Sequence, residues 1–290
     1  MAAGAAWILN LDAEYEVATG RGYTPRRAVL AAMAAHRARI AATLLAPGDL
    51  LIDAETAPGA ARGRVGRCYC PTPRALAALR RAGAEPEPHP PPKVLRVVLS
   101  RAFSASLGPT LPGEVFVTDA GVAEATLAAP PPIGDGWRVK RAYGMAGRDQ
   151  RVVRAGAASA ADVGFVRASI AEGGVAVEPN VRIVREYALH GRLGAGGEVT
   201  LGSLVESETD GHGAWLGAVR LERPAPALAA AVAAEAERAA AALSHLGYFG
   251  PFGVDAFTYE ADGGEELRPR SEVNARFTMA FGVGFGAAPS

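Results

Sequence analysis

The stretch from His245 to Gly282 reads HLGYFGPFGVDAFTYEADGGEELRPRSEVNARFTMAFG, and its reading decides the fold. Val254 to Tyr259 alternates between apolar and polar residues, the period of a strand, and Ala261-Asp262-Gly263-Gly264 supplies a turn. The returning arm ends in Ser271-Glu272-Val273-Asn274-Ala275-Arg276. Side chains at i, i+2 and i+4 of a strand share a face, so Glu272, Asn274 and Arg276 are expected to point one way and Val273 and Ala275 the other. Asp255 falls on the partner strand, so two carboxylates and an amide oxygen can converge across a short hairpin. Hard oxygen donors in that number suit Mg²⁺, which usually keeps several waters and takes its remaining contacts from phosphates. The competing reading is an exposed polar strand face. Pro269, in the returning arm, cannot donate to a ladder and implies an edge, a strand start or a bulge.

Gly-Val-Asp255-Ala-Phe followed by Ser-Glu272-Val-Asn274-Ala-Arg276 resembles the C-terminal metal hairpin of the ATP-grasp superfamily. That superfamily includes D-alanine–D-alanine ligase, glutathione synthetase and biotin carboxylase. Its pattern is an acidic residue on one strand and Glu-x-Asn on the next, and the longer Glu-x-Asn-x-Arg is the form of the carboxylase-like branch. The departure here is a long polar hairpin, Glu260 to Glu266.

A second informative stretch lies upstream, Trp137-Arg-Val-Lys140-Arg-Ala-Tyr-Gly144-Met-Ala-Gly147-Arg148-Asp-Gln-Arg-Val-Val153. A strand delivers Lys140, a loop with two glycines follows, and a second strand leaves at Val152-Val153. Glycine lets backbone N–H groups approach phosphate oxygens unobstructed, and a lysine beside such a loop adds a point charge. The lysine precedes the glycines and the loop joins strands, so this is neither a P-loop nor a dinucleotide fingerprint. It is similar to the small-domain strand and glycine-rich lid of the ATP-grasp superfamily. The resemblance implies that Gly144, Gly147 and Arg148 cover the triphosphate. It also implies that Arg101, in the helix before the Leu111-Pro112 turn, contacts phosphates, with Lys93 the competing candidate. Glu178 corresponds to the acidic hinge residue that meets the adenine amino group, with main chain from Glu178 to Val181 reading the base. Glu186, eight positions on, corresponds to the ribose contact. His190 shares the face of Glu186.

Taken in order, the chain predicts strands at 7–11, 49–52 and 67–70 and helices opened by Thr24-Pro25 and Thr72-Pro73. Such alternation argues for a small parallel α/β layer, similar to the domain that precedes the catalytic part in this superfamily. Glu85-Pro-Glu-Pro-His-Pro-Pro-Pro92 reads as a stiff polyproline-like linker. One helix is expected over 94–107, a strand at 115–117, a helix over 159–172, and strands at 175–178, 185–193, 199–205 and 215–221, with Glu206 to Gly213 a polar loop between the last two. An alanine-rich helix should follow Pro224-Ala-Pro226.

With 290 residues and 49% apolar content the chain can bury a sizeable core. Thirty basic and thirty acidic residues cancel, which argues against a nucleic-acid footprint or an anionic membrane surface. Only Lys93 and Lys140 are lysines, the other basic residues being arginines. Cys68 and Cys70 are the only cysteines, and they lie too close in a strand for an ordinary disulfide, which suggests buried thiols in a reducing compartment. No segment reads as a signal peptide or a membrane span, so a cytoplasmic protein is expected.

The fold class expected is an N-terminal α/β domain over 1–92, then an α+β ATP-grasp fold of two subdomains gripping ATP, 93–183 and 184–290. The resemblance implies an ATP-dependent ligase that activates a small-molecule carboxylate as an acylphosphate for attack by an amine or thiol. Asp255, Glu272 and Asn274 would hold one or two Mg²⁺, with Mn²⁺ as a substitute. Lys140 and Arg101 would clamp the phosphates, and Arg276 would face the acylphosphate or the incoming carboxylate. An ATP-grasp phosphotransferase or carboxylase-like enzyme, and a nucleotide-binding protein without turnover, stay open beside it. Oligomeric state is open too, a homodimer among the options.

Overall fold

The computed structural model describes residues 4–144, 149–209 and 215–286. The N-terminal elements are β1 Ala6–Ile8, α1 Ala13–Thr19, α2 Arg27–Leu44, β2 Leu50–Leu51, β3 Val65–Cys68, α3 Pro73–Arg81 and β4 Glu85–Pro86. The strands form a parallel sheet in the order β2-β1-β3-β4. Trp7 is buried in it, as are Leu9 and Ile52 just past the ends of β1 and β2, as short apolar strands flanked by helices require. Asn10 ties the ends of β1 and β3: its amide nitrogen donates to the Cys70 carbonyl at 2.8 Å and its oxygen accepts from the Cys70 N–H at 3.1 Å. Thr72 caps α3 by accepting from the Ala75 N–H, as its place before Pro73 foretold.

Three local expectations need correction in this part. Helix α2 starts at Arg27 and has no side-chain cap, so Thr24 is not its N-cap. Helix α1 was not foreseen, because Asp12, Glu14 and Glu16 look like a solvated segment yet are all buried. Arg74 neutralises Asp12 and Glu16, and Arg276 neutralises Glu14. The proline-rich segment begins as edge strand β4. Only alternate residues of an edge strand donate, and here the donors are Glu85 and Glu87, to Arg64 and Gly66 carbonyls, so Pro86 between them costs nothing.

The middle elements are α4 Pro92–Val98, α5 Arg101–Ser106, β5 Val115–Val117, α6 Ala120–Ala128, β6 Trp137–Arg141, β7 Gln150–Val153, α7 Ala160–Ala171 and β8 Val175–Pro179. The strands make an antiparallel sheet, β5-β8-β6-β7. The helix expected over 94–107 is two helices, because Ser100 takes an extended conformation and its hydroxyl caps α5 through the Ala102 N–H. Helix α6, capped by Asp119, was also unforeseen. Helix α7 carries the capping box of Ser159 and Asp162.

The remaining elements are β9 Ile183–Leu193, β10 Val199–Leu201, β11 Val205–Thr209, β12 Trp215–Arg220, α8 Pro226–His245, β13 Gly250–Ala261, β14 Gly264–Asn274 and α9 Phe281–Phe285. They build a six-stranded antiparallel sheet, β12-β11-β9-β13-β14 with β10 on β9. The strand expected over 199–205 is broken at Gly202, whose Cβ, were there one, would sit 2.7 Å from the Gly284 carbonyl. The backbone of α9 lies against it, and only glycine permits that approach. The polar segment after it, expected as a loop, is strand β11. Helix α8 lays Val232, Ala236, Ala239, Ala240 and Leu243 against Val254, Ala256, Val273 and Ala275 in one core. Its alanines let helix and sheet approach closely, as expected, and β13 and β14 therefore turn Asp255 and Glu272 to the sheet's other face.

Candidate functional site

The second and third sheets face each other across a cleft of about 810 Å³. Arg101, Lys140, Gly144, Glu178, Val181, Glu186, Asp255, Glu272, Asn274 and Arg276 all line it. Gly147 and Arg148 lie outside the described residues. Lys93 is exposed and does not line the cleft, whereas Arg101 does.

At one end the charges close on themselves. Glu178, next to last in β8, lies opposite Arg138 of β6, and the next strand residue but one, Lys140, extends to it. Lys140 Nζ lies 2.6 Å from one Glu178 oxygen, and Arg268 Nη1 donates to the other at 3.0 Å. Arg268, fully buried over the Phe257 ring, also reaches Glu114 at 3.0 Å. Burial alone would raise the Glu178 pKa, but Lys140 and Arg268 outweigh it and hold the carboxyl at about 2. The carboxylate expected to meet adenine is therefore already bound by two cations. Glu186 lies nearby, its pKa raised chiefly by burial, with a hydrogen bond from Thr209 and the charges of Lys140 and Arg138 opposing.

At the other end the charges do not close. Asp255 stands opposite Glu272 in the β13–β14 register. Burial, then the charge of Glu272, pushes Asp255 up to about 7, against the opposing effects of Arg276 and an Asn274 hydrogen bond. The Asn274 amide nitrogen donates to Asp255 at 2.8 Å, so its oxygen is what it has left to offer a cation. Arg101 partly neutralises Glu272 at 3.1 Å while donating to the Arg141 carbonyl at 2.7 Å. Two opposed carboxylates, the ionisation of one made harder by burial and then by the charge of the other, form a hard-oxygen set that fits a divalent cation. Among the described residues no three or more His, Cys, Asp or Glu are arranged to hold a metal, so a cation here would complete its shell from other oxygens.

Arg276 departs from the expected geometry. Strand β14 ends at Asn274, and Arg276 turns to Glu14 of α1, to the Tyr69 hydroxyl at 3.2 Å and to the Phe277 carbonyl at 2.9 Å. It still lines the cleft, but its donors tie the third sheet to the first. Its pKa is raised, Glu14 outweighing the opposite effect of burial. His190 also lines the cleft, fully buried with neither ring nitrogen hydrogen-bonded, and burial lowers its pKa to about 3.

Sequence reasoning missed Arg138, Arg268, Glu206 and Glu208. Arg138 had a signal, since it shares the strand face of Lys140 two residues on, and it donates to Asn180 at 2.9 Å. Glu206 and Glu208 line the cleft from β11, which was expected as a loop. Arg268 had no signal in period or spacing. Two extra residues are accommodated in β14 opposite the step from Asp255 to Phe257, so even-numbered residues do not keep one face. Arg268 thus turns to Glu178, and Arg270 turns to Glu235 of α8 at 2.8 Å. Pro269 lies inside this bulge.

The same architecture occurs in solved structures. D-alanyl-alanine synthetase A from Vibrio cholerae O1 biovar eltor superposes with a TM-score of 0.53 at 14% identity, over 99% of this chain and 92% of that one. N5-carboxyaminoimidazole ribonucleotide synthetase from Thermus thermophilus gives 0.51 at 19% identity, over 94% of this chain and 71% of that one. Carboxyaminoimidazole ribonucleotide synthase from Aspergillus clavatus, in complex with ATP, gives 0.53 at 14% identity, over 96% and 72%. This chain has an ATP-grasp fold. No protein-family model matches it, and no curated protein matches its sequence. Among the described residues, no helix of the chain is long and apolar enough to cross a membrane.

Proposed function

We propose that the chain is an ATP-dependent ligase that joins a small-molecule carboxylate to an amine or thiol. The single observation that carries the reading is the convergence, in one cleft, of Lys140 and Arg101 with the Asp255, Glu272 and Asn274 oxygen set. Two similar structures were solved with ADP and one with ATP, which supports a nucleotide in this cleft. We take residues 1–92, 93–183 and 184–290 as its three units, the nucleotide lying between the second and third.

In this reading the substrate carboxylate attacks the γ-phosphoryl group, ADP leaves, and an acylphosphate forms. The amine or thiol then attacks the acyl carbon, loses its proton, and phosphate departs. The protein contributes position and charge to these steps, with no covalent participation. Lys140 and Arg101 hold phosphate oxygens, Gly144 admits the triphosphate close to the main chain, and Val181 and its neighbours pack on the base. Glu186 accepts from ribose hydroxyls. Glu178 orients Lys140 as well as facing the base. A Mg²⁺ ion held by Asp255, Glu272 and Asn274 would neutralise charge on the phosphates. Arg276, tied to Glu14 and Tyr69, orients the acyl end of the cleft.

A nucleotide-binding protein without turnover is the second reading, favoured by the engagement of Arg276 with Glu14 and Tyr69. The test is isothermal titration with ATP and GTP at fixed Mg²⁺, followed by ADP release against pools of carboxylates and amines. Saturable, Mg²⁺-dependent binding that prefers ATP, with carboxylate-dependent ADP release, is the expected result. Absence of nucleotide binding at millimolar concentration would sink both readings, and binding without release in any pool would favour the second.

A further inference from the structure

Helix α1 follows β1 of the first sheet, yet it holds side chains from the ends of the other two sheets. Asp12 and Glu16, one turn apart, fix it to the start of α3. Glu16 accepts from the Thr72 hydroxyl at 2.7 Å and from the Arg74 N–H at 2.8 Å, and Asp12 accepts from the Arg74 guanidinium at 2.5 Å. Between these anchors Glu14 and Tyr15 reach outward. Glu14 takes Arg276 from just past β14, and the Tyr15 hydroxyl donates to the Asp149 carboxylate. A second tie runs through α4: the Tyr143 hydroxyl donates to the Arg96 carbonyl at 2.7 Å, and the Arg96 guanidinium donates to the Val17 carbonyl at 3.1 Å. Tyr143 follows β6 and Asp149 precedes β7, so the adjoining ends of both strands are held on one short helix.

Asp149 is the one described non-glycine residue whose φ, 59°, lies in the left-handed region. Aspartate tolerates that region better than most residues, but the conformation persists only where its surroundings dictate it. Here they do. The Arg141 N–H donates to the Asp149 carbonyl at 3.1 Å and fixes the main chain, while Tyr15 fixes the carboxylate. Gln150, next in the chain, pairs with Lys140 across β6 and β7. Neither Tyr15 nor Asp149 is among the residues that line the cleft, so the tie works from outside it.

We propose that Tyr15 is a positioning residue for the nucleotide phosphates: through Asp149 it fixes the ends of β6 and β7, which carry Lys140 and Gly144 to the cleft. The proposal rests on the ligase reading above. Phosphoryl transfer depends on holding the reacting groups in line, and support that is in place before the ligand arrives spares the entropy of ordering it. Glu14, the neighbour of Tyr15, holds Arg276, so the phosphate end and the acyl end are tied to adjacent residues.

The experiment titrates the full chain with ATP at fixed Mg²⁺ and, separately, with adenosine, by calorimetry and ligand-observed NMR. Tyr15→Phe removes one hydroxyl and should weaken ATP by about tenfold, the worth of a hydrogen bond to a charged group. Adenosine, which has no phosphates, should bind the variant as it binds the parent. Asp149→Gly keeps the left-handed main chain without strain and cuts the same tie from its other end. In that background Tyr15→Phe should cost ATP binding nothing further, because the two residues act through one contact. Unchanged ATP affinity in Tyr15→Phe would overturn the proposal. So would an equal loss of ATP and adenosine, which would make Tyr15 a structural residue, or an undiminished effect of Tyr15→Phe in the Asp149→Gly background. A parent protein that binds neither ATP nor adenosine would instead bring down the ligase reading, and this proposal with it.

Discussion

The two ends of the cleft carry similar residues and opposite electrostatics. At the β8 end, Glu178 and Glu114 are matched by Lys140 and Arg268, and the Glu178 carboxyl is held at about 2. At the hairpin end, Arg101 pairs with Glu272, Asp255 takes a hydrogen bond from Asn274 and feels the charge of Arg276, and Asp255 is still pushed up to about 7. A network that closes on itself stabilises the fold and leaves little for a cation to add. A network short of positive charge gains from a cation. The comparison makes Arg268 and Glu114 the scaffold that holds Glu178 and Lys140 in place at the first end and assigns cation binding to the second, and it can be broken from either side.

The largest expected effect is at the closed end. Arg268→Met leaves Glu178 and Glu114 buried with one cation between them, and breaking such a buried network from one side typically costs about 3–5 kcal/mol. Urea unfolding should show the loss. A variant as stable as the parent would mean that Arg268 contributes nothing net and that the hub is not a scaffold.

At the open end the effect should fall on turnover. Glu272→Gln keeps side-chain volume and removes a charge from a partly exposed group, so the melting curve should hold. Turnover should drop by about a hundred- to a thousand-fold, roughly 3–4 kcal/mol, the usual consequence of losing one transition-state electrostatic contact. Full activity, or an unfolded protein, would remove Glu272 from the metal set. Together the two variants separate stability from catalysis within one cleft.

Much of the open end was legible in the sequence, and little of the closed end was. Asp255, Glu272 and Asn274 sit on strands whose alternation is local, so period alone placed them on a common face. Lys140 lay beside its glycines. Arg268 and Arg270 were not legible, because the bulge at Pro269 turns them to opposite faces and an arginine-rich composition made both look solvated. The acids of α1 were hidden for the same reason: their partners, Arg74 and Arg276, come from distant positions. Breaks at Ser100 and Gly202 depend on one cap and one backbone contact, which no periodicity reports. What sequence conveys poorly here is pairing between charges far apart in the chain.

The smallest effect tests whether partners or burial set a pKa. Glu178 and His190 are both depressed, for different reasons: partners overcome burial at Glu178, whereas burial acts unopposed at His190. In each case the folded pKa lies below the unfolded value, so the unfolded chain binds more protons in between, and stability falls as pH falls. The windows differ. For His190, the contribution is complete above about pH 6.5 and is lost progressively down to about 3. For Glu178, it is complete above about pH 4.3 and is lost down to about 2. Between pH 6.5 and 5 His190 should cost about 1.5 kcal/mol, against an opposite contribution from Asp255, whose pKa, raised to about 7, makes the folded chain the better proton binder in that range. The stability difference between His190→Gln and the parent should therefore change by about 1.5 kcal/mol across the window, and Glu178→Gln should leave that window as it is while flattening the lower one. Urea midpoints across both windows decide the matter. If His190→Gln keeps the upper slope, the imidazole is not held neutral by burial, and the contrast between partnered and unpartnered groups in the cleft does not hold.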